Sequence, residues 1–364
     1  RLNISTKTDI PLPKFIFSFL LLNIINFVFS QEDAFNLVFP LDENSLMSYG
    51  EGGSQFKQGI WSAFTSDSSY FQIGNYENNK KVGSWRIFSE RNERARMNFV
   101  DGELQGEYLL LYPNGALAVR TEYDKGELNG KWDSFNDNGR PFERGFFEMG
   151  YKSSIWTSYH SNGEKAQEAN YENGELHGEF KSFDEYGDKE LETNYSKGLL
   201  NGDWTKYDFE GSILEKGKFV NGARNGHWSY YFGAGRKSAD EYYSLGKKVG
   251  EWKEYYFTGR LSSSTTYEND RPIGTSNTYH PNKKLESRTF YRLGLPDSTY
   301  LEYYVSGIQS IDGTYNLGSK TGLWKYYHKN GLISEFGKYD IDQKTGNWKF
   351  LSESGQLRSE GQYE

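Results

Sequence analysis

Aromatic and polar residues alternate along this chain in a pattern that restarts at a nearly constant interval. The first aromatic column comprises Trp61, Trp85, Tyr108, Trp132, Trp156, Phe180, Trp204, Trp228, Trp252, Tyr300, Trp324 and Trp348. Its members are 24 residues apart, except for one interval of 23 and one empty slot that Ser276 fills. A second column follows about 15 residues later and is aromatic in every copy, from Tyr76 to Tyr363. Composition alone cannot phase residues in this way, so the chain is an internal repeat.

Each copy is typical of a β-hairpin. In the copy from Gly250 to Tyr267, strands are expected over residues 251–257 and 261–268, with a glycine turn between them. Several copies carry Asn-Gly in this turn, for example Asn114-Gly115, and Asn-Gly between apolar strands is a strong hairpin signal. A second set of glycines leads into the next hairpin. The pattern therefore predicts an all-β fold, an elongated array of about thirteen stacked antiparallel β-hairpins over residues 56–364.

A third column, thirteen residues after the first, holds small side chains. It comprises Gly74, Thr121, Gly145, Ala169, Thr193, Gly217, Thr265, Thr289, Gly313, Gly337 and Gly361. A two-residue loop would place this residue directly opposite the tryptophan, where the ring could cover a glycine. A three-residue turn with a bulge would slip the register by one residue, and the sequence leaves both arrangements open.

The start of the chain has a different character. Lys14 precedes an apolar run from Phe15 to Phe29, which predicts a signal peptide over residues 1–30 with cleavage after Ser30. A transmembrane anchor is the alternative, but the run is shorter than the roughly 20 residues of a span. Residues 31–55 fit no repeat and are interpreted as a linker or N-terminal cap. We therefore expect an exported protein, in the periplasm, at the cell surface or secreted, with no integral membrane span after signal removal.

Charge and composition narrow the function classes. The net charge is −8, with no basic run, which argues against a nucleic-acid partner. The chain has no cysteine, so it has no disulfide, thiolate nucleophile or cysteine metal site. Aromatic residues make up 17% of the sequence, which argues against disorder.

Residues that could carry chemistry follow the repeat instead of breaking it. His160, His280 and His328 share one repeat position, too far apart to bind one metal ion. The acidic residues of the second strand also recur: Glu168, Glu192, Asp240, Asp312 and Glu360. Periodic charges usually form a solvated face. We therefore expect no catalytic residue, no metal, no cofactor and no enzyme activity.

The aromatic columns are the surface of most interest. All nine tryptophans, at positions 61, 85, 132, 156, 204, 228, 252, 324 and 348, are interpreted as structural residues of the repeat. Adjacent aromatic pairs place rings on both faces of a strand, so some rings should stay exposed. The candidate binding surface comprises Tyr231, Phe232, Tyr256, Phe257, Tyr304 and Tyr327.

The motif Gly-x-Trp-x-x-Tyr, then Gly-x-Leu, then Tyr resembles the MORN repeat, most closely its bacterial variant. The residues from Gly250 to Tyr255, Gly259 to Leu261, and Gly322 to Tyr339 carry the resemblance, which covers about residues 56–364. The copies around Ser276 and Tyr300 depart most, with Lys283 in the turn and Ser298 for the first glycine. The chain also resembles choline-binding cell-wall modules, but those repeat at a shorter period.

The MORN resemblance implies stacked hairpins that bind or scaffold proteins, without catalytic residues. The expected function is thus a protein-binding or scaffolding module at the bacterial envelope, with an unknown protein partner. One alternative is binding of a polysaccharide or cell wall through an aromatic ladder. The other is an antitoxin-like inhibitor, which requires that the apolar N-terminus does not act as an export signal.

Overall fold

The computed structural model describes residues 46–51 and 56–364, which fold almost entirely into β-strands. This part of the chain contains no helix, and therefore none suited to crossing a bilayer. The signal peptide and most of the linker or cap that the sequence predicts lie outside the described residues. The chain divides into two compact units, one ending at Leu117 and the other formed by Ala118–Glu364.

The first unit is an antiparallel meander. Its strands are β1 (Met47–Glu51), β2 (Gln58–Phe64), β3 (Tyr70–Glu77), β4 (Lys80–Ser89), β5 (Asn92–Val100), β6 (Glu103–Leu104) and β7 (Gly106–Leu111). Each strand from β1 to β5 pairs with the next along the chain. Strand β1 falls within the segment interpreted as linker or cap, and it pairs with β2. Strand β5 pairs with both β6 and β7.

The second unit is likewise an antiparallel meander. Its strands are β8 (Leu117–Asp124), β9 (Glu127–Phe135), β10 (Pro141–Glu148), β11 (Tyr151–Tyr159), β12 (Lys165–Glu172), β13 (Glu175–Phe183), β14 (Lys189–Ser196), β15 (Leu199–Tyr207), β16 (Ile213–Val220), β17 (Ala223–Arg224), β18 (Gly226–Tyr231), β19 (Lys237–Ser244), β20 (Lys247–Lys248), β21 (Gly250–Tyr255), β22 (Leu261–Glu268), β23 (Arg271–Tyr279), β24 (Leu285–Arg292), β25 (Leu295–Tyr303), β26 (Gln309–Asn316), β27 (Ser319–Tyr327), β28 (Ile333–Asp340), β29 (Gln343–Leu351) and β30 (Leu357–Tyr363). Strand β16 pairs with both β17 and β18, and β19 with both β20 and β21. The predicted all-β hairpin array is confirmed.

Two kinds of turn alternate along the second unit and define its two edges. At the turn edge, which holds the turns inside each hairpin, the Gly259 N–H donates to the Tyr256 carbonyl at 2.7 Å, and Gly259 has a φ of 77°. At the connection edge, which joins one hairpin to the next, a two-residue turn such as Asn269-Asp270 has positive φ at both positions. The second arrangement is the type I′ turn that suits the twist of paired strands.

The predicted register alternatives are both realised in part. The turn inside the hairpin has three residues and ends in a glycine, as in the bulged arrangement. Tyr255 then faces Leu261 while Glu254 faces Ser263, so one residue of the second strand is left unpaired. This bulge restores the register, and Trp252 lies directly opposite Thr265, as the two-residue loop predicts. At Asn114-Gly115 only the glycine has positive φ, and the asparagine side chain instead accepts a hydrogen bond from the Ala116 N–H.

The hairpin is kept where the sequence departs from the repeat. Lys283 takes a φ of 71° in the place of the turn glycine, and Ser298 takes a φ of 65° in the place of the first glycine. Ser276, which fills the empty aromatic slot, exchanges a 2.6 Å hydrogen bond with Thr265 on the neighbouring strand. Backbone pairing therefore continues where the aromatic column is interrupted.

The core is the aromatic column, and each indole packs on the strand before its own. Trp348 is fully buried, and a Cβ added to Gly337 would lie 2.2 Å from its Cδ2 atom. The same contact recurs between glycine and tryptophan at 50 and 61, 74 and 85, 145 and 156, 217 and 228, and 313 and 324. The small column is thus opposite one tryptophan in register but covered by the next. The predicted opposition is confirmed, but the prediction that the opposite tryptophan covers the glycine is wrong, because the ring over Gly337 belongs to Trp348 and not to Trp324.

Rings of the second column join successive tryptophans edge to face. Tyr339 lies with its centroid 5.8 Å from that of Trp324 and 5.1 Å from that of Trp348, nearly perpendicular to both. Such pairs contribute about 0.5–1.5 kcal/mol each beyond the apolar area that they bury. The aromatic ladder therefore holds neighbouring hairpins together.

Candidate functional site

A cation covers the tryptophan ladder in most copies. Seven tryptophans have a lysine or arginine four residues earlier, with the cation 3.7–5.3 Å from the ring centroid: positions 61, 85, 156, 228, 252, 324 and 348. The indole N–H of each of the seven also donates to the carbonyl ten residues earlier, as Trp348 does to Lys338 at 3.1 Å. A covered indole whose N–H is already bonded is poorly suited to stacking a ligand.

Three of these cations also pair with a glutamate. Lys152 bonds Glu143 at 2.7 Å, and Lys344 approaches Glu335 at 3.5 Å. In the copy around Trp228 the pair is most enclosed, since Arg224 bonds a nearly buried Glu215 at 2.7 Å. Each set is spaced glutamate, cation nine residues later, tryptophan four residues after that.

The titratable groups around Arg224 have shifted pKa values. The guanidinium also donates to the Tyr230 hydroxyl at 2.6 Å and approaches the Tyr243 hydroxyl at 3.4 Å. Burial raises the pKa of Glu215 above its ordinary value and raises the pKa of Tyr243 to about 12. Burial raises the pKa of Tyr230 as well. These groups lie enclosed beside the ladder, where burial and their mutual contacts shift their pKa values.

Trp132 shows the alternative packing. It has Leu128 in place of the cation and Thr121 in place of the glycine on the preceding strand. Its indole nitrogen is buried without a hydrogen-bond partner among the described residues. Six of the seven covered and bonded indoles lie over a glycine, and Trp252, with Glu241 at that position, is the exception. The sequence carries this association, but it does not show when each column is considered alone.

A ladder of side chains joins neighbouring turns along the turn edge. The Tyr256 hydroxyl donates to the Tyr279 carbonyl at 2.6 Å, and the Tyr304 hydroxyl donates to the Tyr327 carbonyl at 2.6 Å. The three histidines at this repeat position, His160, His280 and His328, bond carbonyls 23 residues later in the same way, at 2.8, 2.7 and 3.1 Å. Because the partner is a carbonyl, the ring nitrogen is the donor.

The structure divides the six candidate binding residues between this ladder and a small apolar cluster. The hydroxyl groups of Tyr256 and Tyr304 donate hydrogen bonds in the ladder along the turn edge. Phe232 and Phe257 contact each other with centroids 5.6 Å apart, and the Arg236 guanidinium lies 3.9 Å from the Phe257 centroid.

The remaining two candidates, Tyr231 and Tyr327, are partly exposed and end strands β18 and β27. Phe257 is exposed over more than half of its surface and lies in the turn, not on a strand face. The structure therefore brings together Phe232 and Phe257, and links Tyr304 to Tyr327 through one hydrogen bond.

Exposed apolar side chains also line the connection edge, a feature that the sequence reasoning did not single out. The first residue of the turn is apolar, exposed and at positive φ at Met149, Leu245, Leu293, Leu317 and Ile341. Other copies place Asn, Lys or Asp there, including Asn173, Asn221 and Lys197. A bulky apolar residue is unfavourable in this backbone conformation, and asparagine is favourable.

A polar cluster surrounds Asp240, a member of the recurring acidic column. Its Oδ1 accepts hydrogen bonds from His227 at 2.7 Å, Lys237 at 2.9 Å and Ser229 at 3.1 Å, and its Oδ2 accepts one from Tyr255 at 3.2 Å. Burial alone would raise the pKa of Asp240, but the hydrogen bonds from Lys237, His227 and Ser229 hold that pKa below its ordinary value.

The Asp240 cluster lacks the arrangement of a nucleophilic site. Ser229 donates to the carboxylate, and the histidine nitrogen nearest to it bonds the same oxygen, so no base is free to activate the hydroxyl. Over residues 46–51 and 56–364, no group of three or more His, Cys, Asp or Glu side chains is arranged to hold a metal ion.

Comparison with known proteins identifies the repeat. The MORN repeat variant matches residues 154–173, 248–269 and 344–364. Among curated proteins, none matches this chain.

Among solved structures, similar chains occur in a TcdB2-TccC3 crystal structure (10% identity, TM-score 0.14), a Photorhabdus luminescens Tc holotoxin pore carrying a TccC3 substitution (11%, 0.15) and a TcdB2-TccC3-Cdc42 crystal structure (12%, 0.15). The matches cover 82%, 83% and 83% of this chain, but it spans only 22%, 23% and 19% of those chains. Scores this low carry no argument about function. The chain is thus a repeat protein of stacked hairpins, and three of its segments match the MORN repeat variant.

Proposed function

We propose that this chain is a non-catalytic, exported module that binds or scaffolds proteins at the bacterial envelope. The observation that carries the proposal is the row of exposed apolar residues at the connection edge. Leu293, Leu317 and Ile341 occupy the same turn position in three consecutive copies and are 69%, 43% and 74% exposed. Each of the three has a left-handed backbone conformation, which costs an apolar residue about 1 kcal/mol more in folding free energy than it would cost glycine or asparagine.

The spacing of the row favours a helical partner. Two strand spacings separate equivalent residues of consecutive hairpins, which is roughly 10 Å. Seven residues of an α-helix rise by roughly 10.5 Å, so a helix with an apolar residue in every heptad matches this interval. An amphipathic helix lying along the edge would contact the three side chains in turn.

The role of the row can be tested with a variant that should lose partner binding without losing stability. We expect the triple variant Leu293→Asn, Leu317→Asn, Ile341→Asn to be as stable as the parent or more stable, because asparagine favours the left-handed turn. Crosslinking and pull-down from envelope extracts, with the full chain as bait, should lose the partners that the parent captures.

A matched control is Lys197→Asn, which makes the same change at a copy that has no apolar residue there. It should keep the captured partners. Retention of those partners by the triple variant, or a loss of stability in it, would contradict the proposed role of the row.

Export is tested separately. The apolar run from Phe15 to Phe29 supports it, and fractionation of the full chain with and without residues 1–30 measures it. Recovery of the unprocessed chain in the cytoplasm would remove the envelope from the proposal. That result would bring back the antitoxin-like alternative.

A further inference from the structure

The Asp240 cluster lies at the wall of a small cavity that is half open to solvent. The cavity has a volume of about 280 Å³ and is lined by Asp240, Tyr242, Gly250, Glu251, Lys253 and Tyr255. This volume is near the lower end of the range that small-molecule sites occupy, roughly 300–1,000 Å³. The cavity opens beside a break in strand pairing, because Val249 separates β20 from β21 and donates to the Tyr242 carbonyl at 2.9 Å.

The polar groups of the wall are held in place by one another. Glu251 bonds Lys253 at 2.8 Å and accepts the Ser264 hydroxyl at 2.7 Å. On the other side Tyr255 donates to Asp240, which three further donors fix. A site whose donors and acceptors are already oriented binds a ligand at a lower entropic cost.

The charges of the lining cancel once Lys237, which lies outside the lining but bonds Asp240, is included. Asp240 and Glu251 are matched by Lys253 and by Lys237, which bonds Asp240 directly. A balanced lining gives no net attraction for an anion or a cation, so the ligand that it suits is neutral. Carboxylate acceptors and an ammonium donor recognise a compound that carries several hydroxyl groups.

An aromatic ring completes the set. Tyr242 stacks on His227 with centroids 4.8 Å apart and an interplanar angle of 22°, and its side chain keeps an exposed fraction of 40%. Gly250 lies beside this ring: a Cβ added to the glycine would make an ordinary contact, 3.4 Å from the Tyr242 Cβ. An oriented tyrosine beside hydroxyl-binding groups suits the apolar face of a sugar ring.

We propose that this cavity binds one neutral monosaccharide unit, either free or within a glycan. Glu251 and the second oxygen of Asp240 accept its hydroxyl groups, and Lys253 donates to them. The proposal does not depend on the apolar row at the connection edge, which lies in other residues and would bind a protein.

The two adjacent copies lack this set. Three copies earlier, Glu168, Glu179 and Lys181 repeat its charges, but Asn170 and Phe183 replace Tyr242 and Tyr255, so the complete set is expected once per chain. Asp240 is replaced by Lys216 one copy earlier and by Ser264 one copy later. Lys253 is replaced by Ser229 and Asn277 at the same two distances. A ladder that bound sugars through its repeated aromatic residues would instead bind several units per chain.

The test uses the full chain with methyl glycosides of glucose, galactose and N-acetylglucosamine. Titration followed by saturation-transfer NMR should detect at least one of them with one site per chain. Lys253→Met and Glu251→Gln should each weaken that binding at least tenfold, whereas Asn277→Met, the same position one copy later, should leave it unchanged. Unaltered circular dichroism and thermal unfolding of each variant establish that it is folded.

Three results would overturn the proposal. One is the absence of transfer to any of the three glycosides with the folded parent chain. Another is undiminished binding in both cavity variants. The third is preferential binding of glucuronate or glucose 6-phosphate over the neutral glycosides, since this would show that the cavity selects charge. Partner capture by the connection-edge row is a separate measurement, so failure of either idea leaves the other testable.

Discussion

Gly337 offers a direct test of how the ladder is packed. It lies on β28 under the Trp348 ring, and a Cβ added there would be 2.2–2.5 Å from three ring atoms. Its φ is outside the left-handed region, so alanine suits the backbone. Any loss of stability in Gly337→Ala must therefore come from displacing the indole.

The magnitude follows from the contacts that the ring would lose. Trp348 is fully buried and donates to the Lys338 carbonyl, and a hydrogen bond of this kind contributes about 1 kcal/mol. Forcing an extra methyl group into a packed core costs about 1–3 kcal/mol. We expect Gly337→Ala to lower the free energy of unfolding by roughly 2–4 kcal/mol.

The matched control is Gly361, which occupies the same repeat position opposite Trp348 but has no tryptophan ring over it. The nearest atom to an added Cβ is 3.5 Å away, an ordinary contact. Gly361→Ala should therefore be neutral or stabilise by up to about 1 kcal/mol, because alanine loses less backbone entropy on folding.

Urea unfolding measures both variants, and the indole N–H signal of Trp348 in NMR reports whether that ring has moved. Equal effects of the two substitutions would refute the packing described above. They would indicate that each glycine is covered by the tryptophan opposite to it.

Two further outcomes are expected from the charged groups. Arg224→Leu should destabilise the fold by about 3–5 kcal/mol in urea unfolding, because it leaves the Glu215 carboxylate buried without a partner. The double variant with Glu215→Leu should recover most of that loss, since the copy before has Leu191 and Leu200 at these positions; no recovery would contradict the reasoning. In the first unit, a hydrogen bond from a neighbouring arginine lowers the pKa of Glu93 from 4.5 to about 2. Because the pKa of Glu93 is lower in the folded than in the unfolded chain, its ionised carboxylate stabilises the fold at any pH above the unfolded pKa. This contribution should fade as the pH drops from 4.5 towards 2. Glu93→Gln should abolish this part of the dependence of stability on pH.

The fold was largely predictable because its signal is repeated. Aromatic spacing and turn glycines gave the strands and the hairpin connectivity, which depend on alternation and local turn chemistry. Turn type was harder, because Asn-Gly suits more than one turn and the structure uses Asn114 through its side chain. The compensating bulge beside Leu261 cannot be found from spacing, since two opposite one-residue shifts cancel.

The site was much less predictable. Reading one column at a time hid the link between the glycine, the cation and the tryptophan, which span two copies of the repeat. The exposed tyrosines were selected by strand alternation, yet Tyr256 and Phe257 lie in a turn where alternation no longer applies. The Asp240 cluster escaped notice because its members belong to different columns and meet only across paired strands.

The packing of tryptophan on the preceding strand has a consequence for how such a chain could lengthen by duplication. The set that must stay together runs from Glu215 through Gly217 and Arg224 to Trp228, and so straddles the boundary between one hairpin and the next. A segment copied from turn edge to turn edge would carry the complete set. A segment copied from one tryptophan to the next would carry an indole without the glycine on which it packs. The indole would then fit only where the preceding copy already has a glycine at that position. The true inheritable unit is therefore offset from the visible motif by half a hairpin.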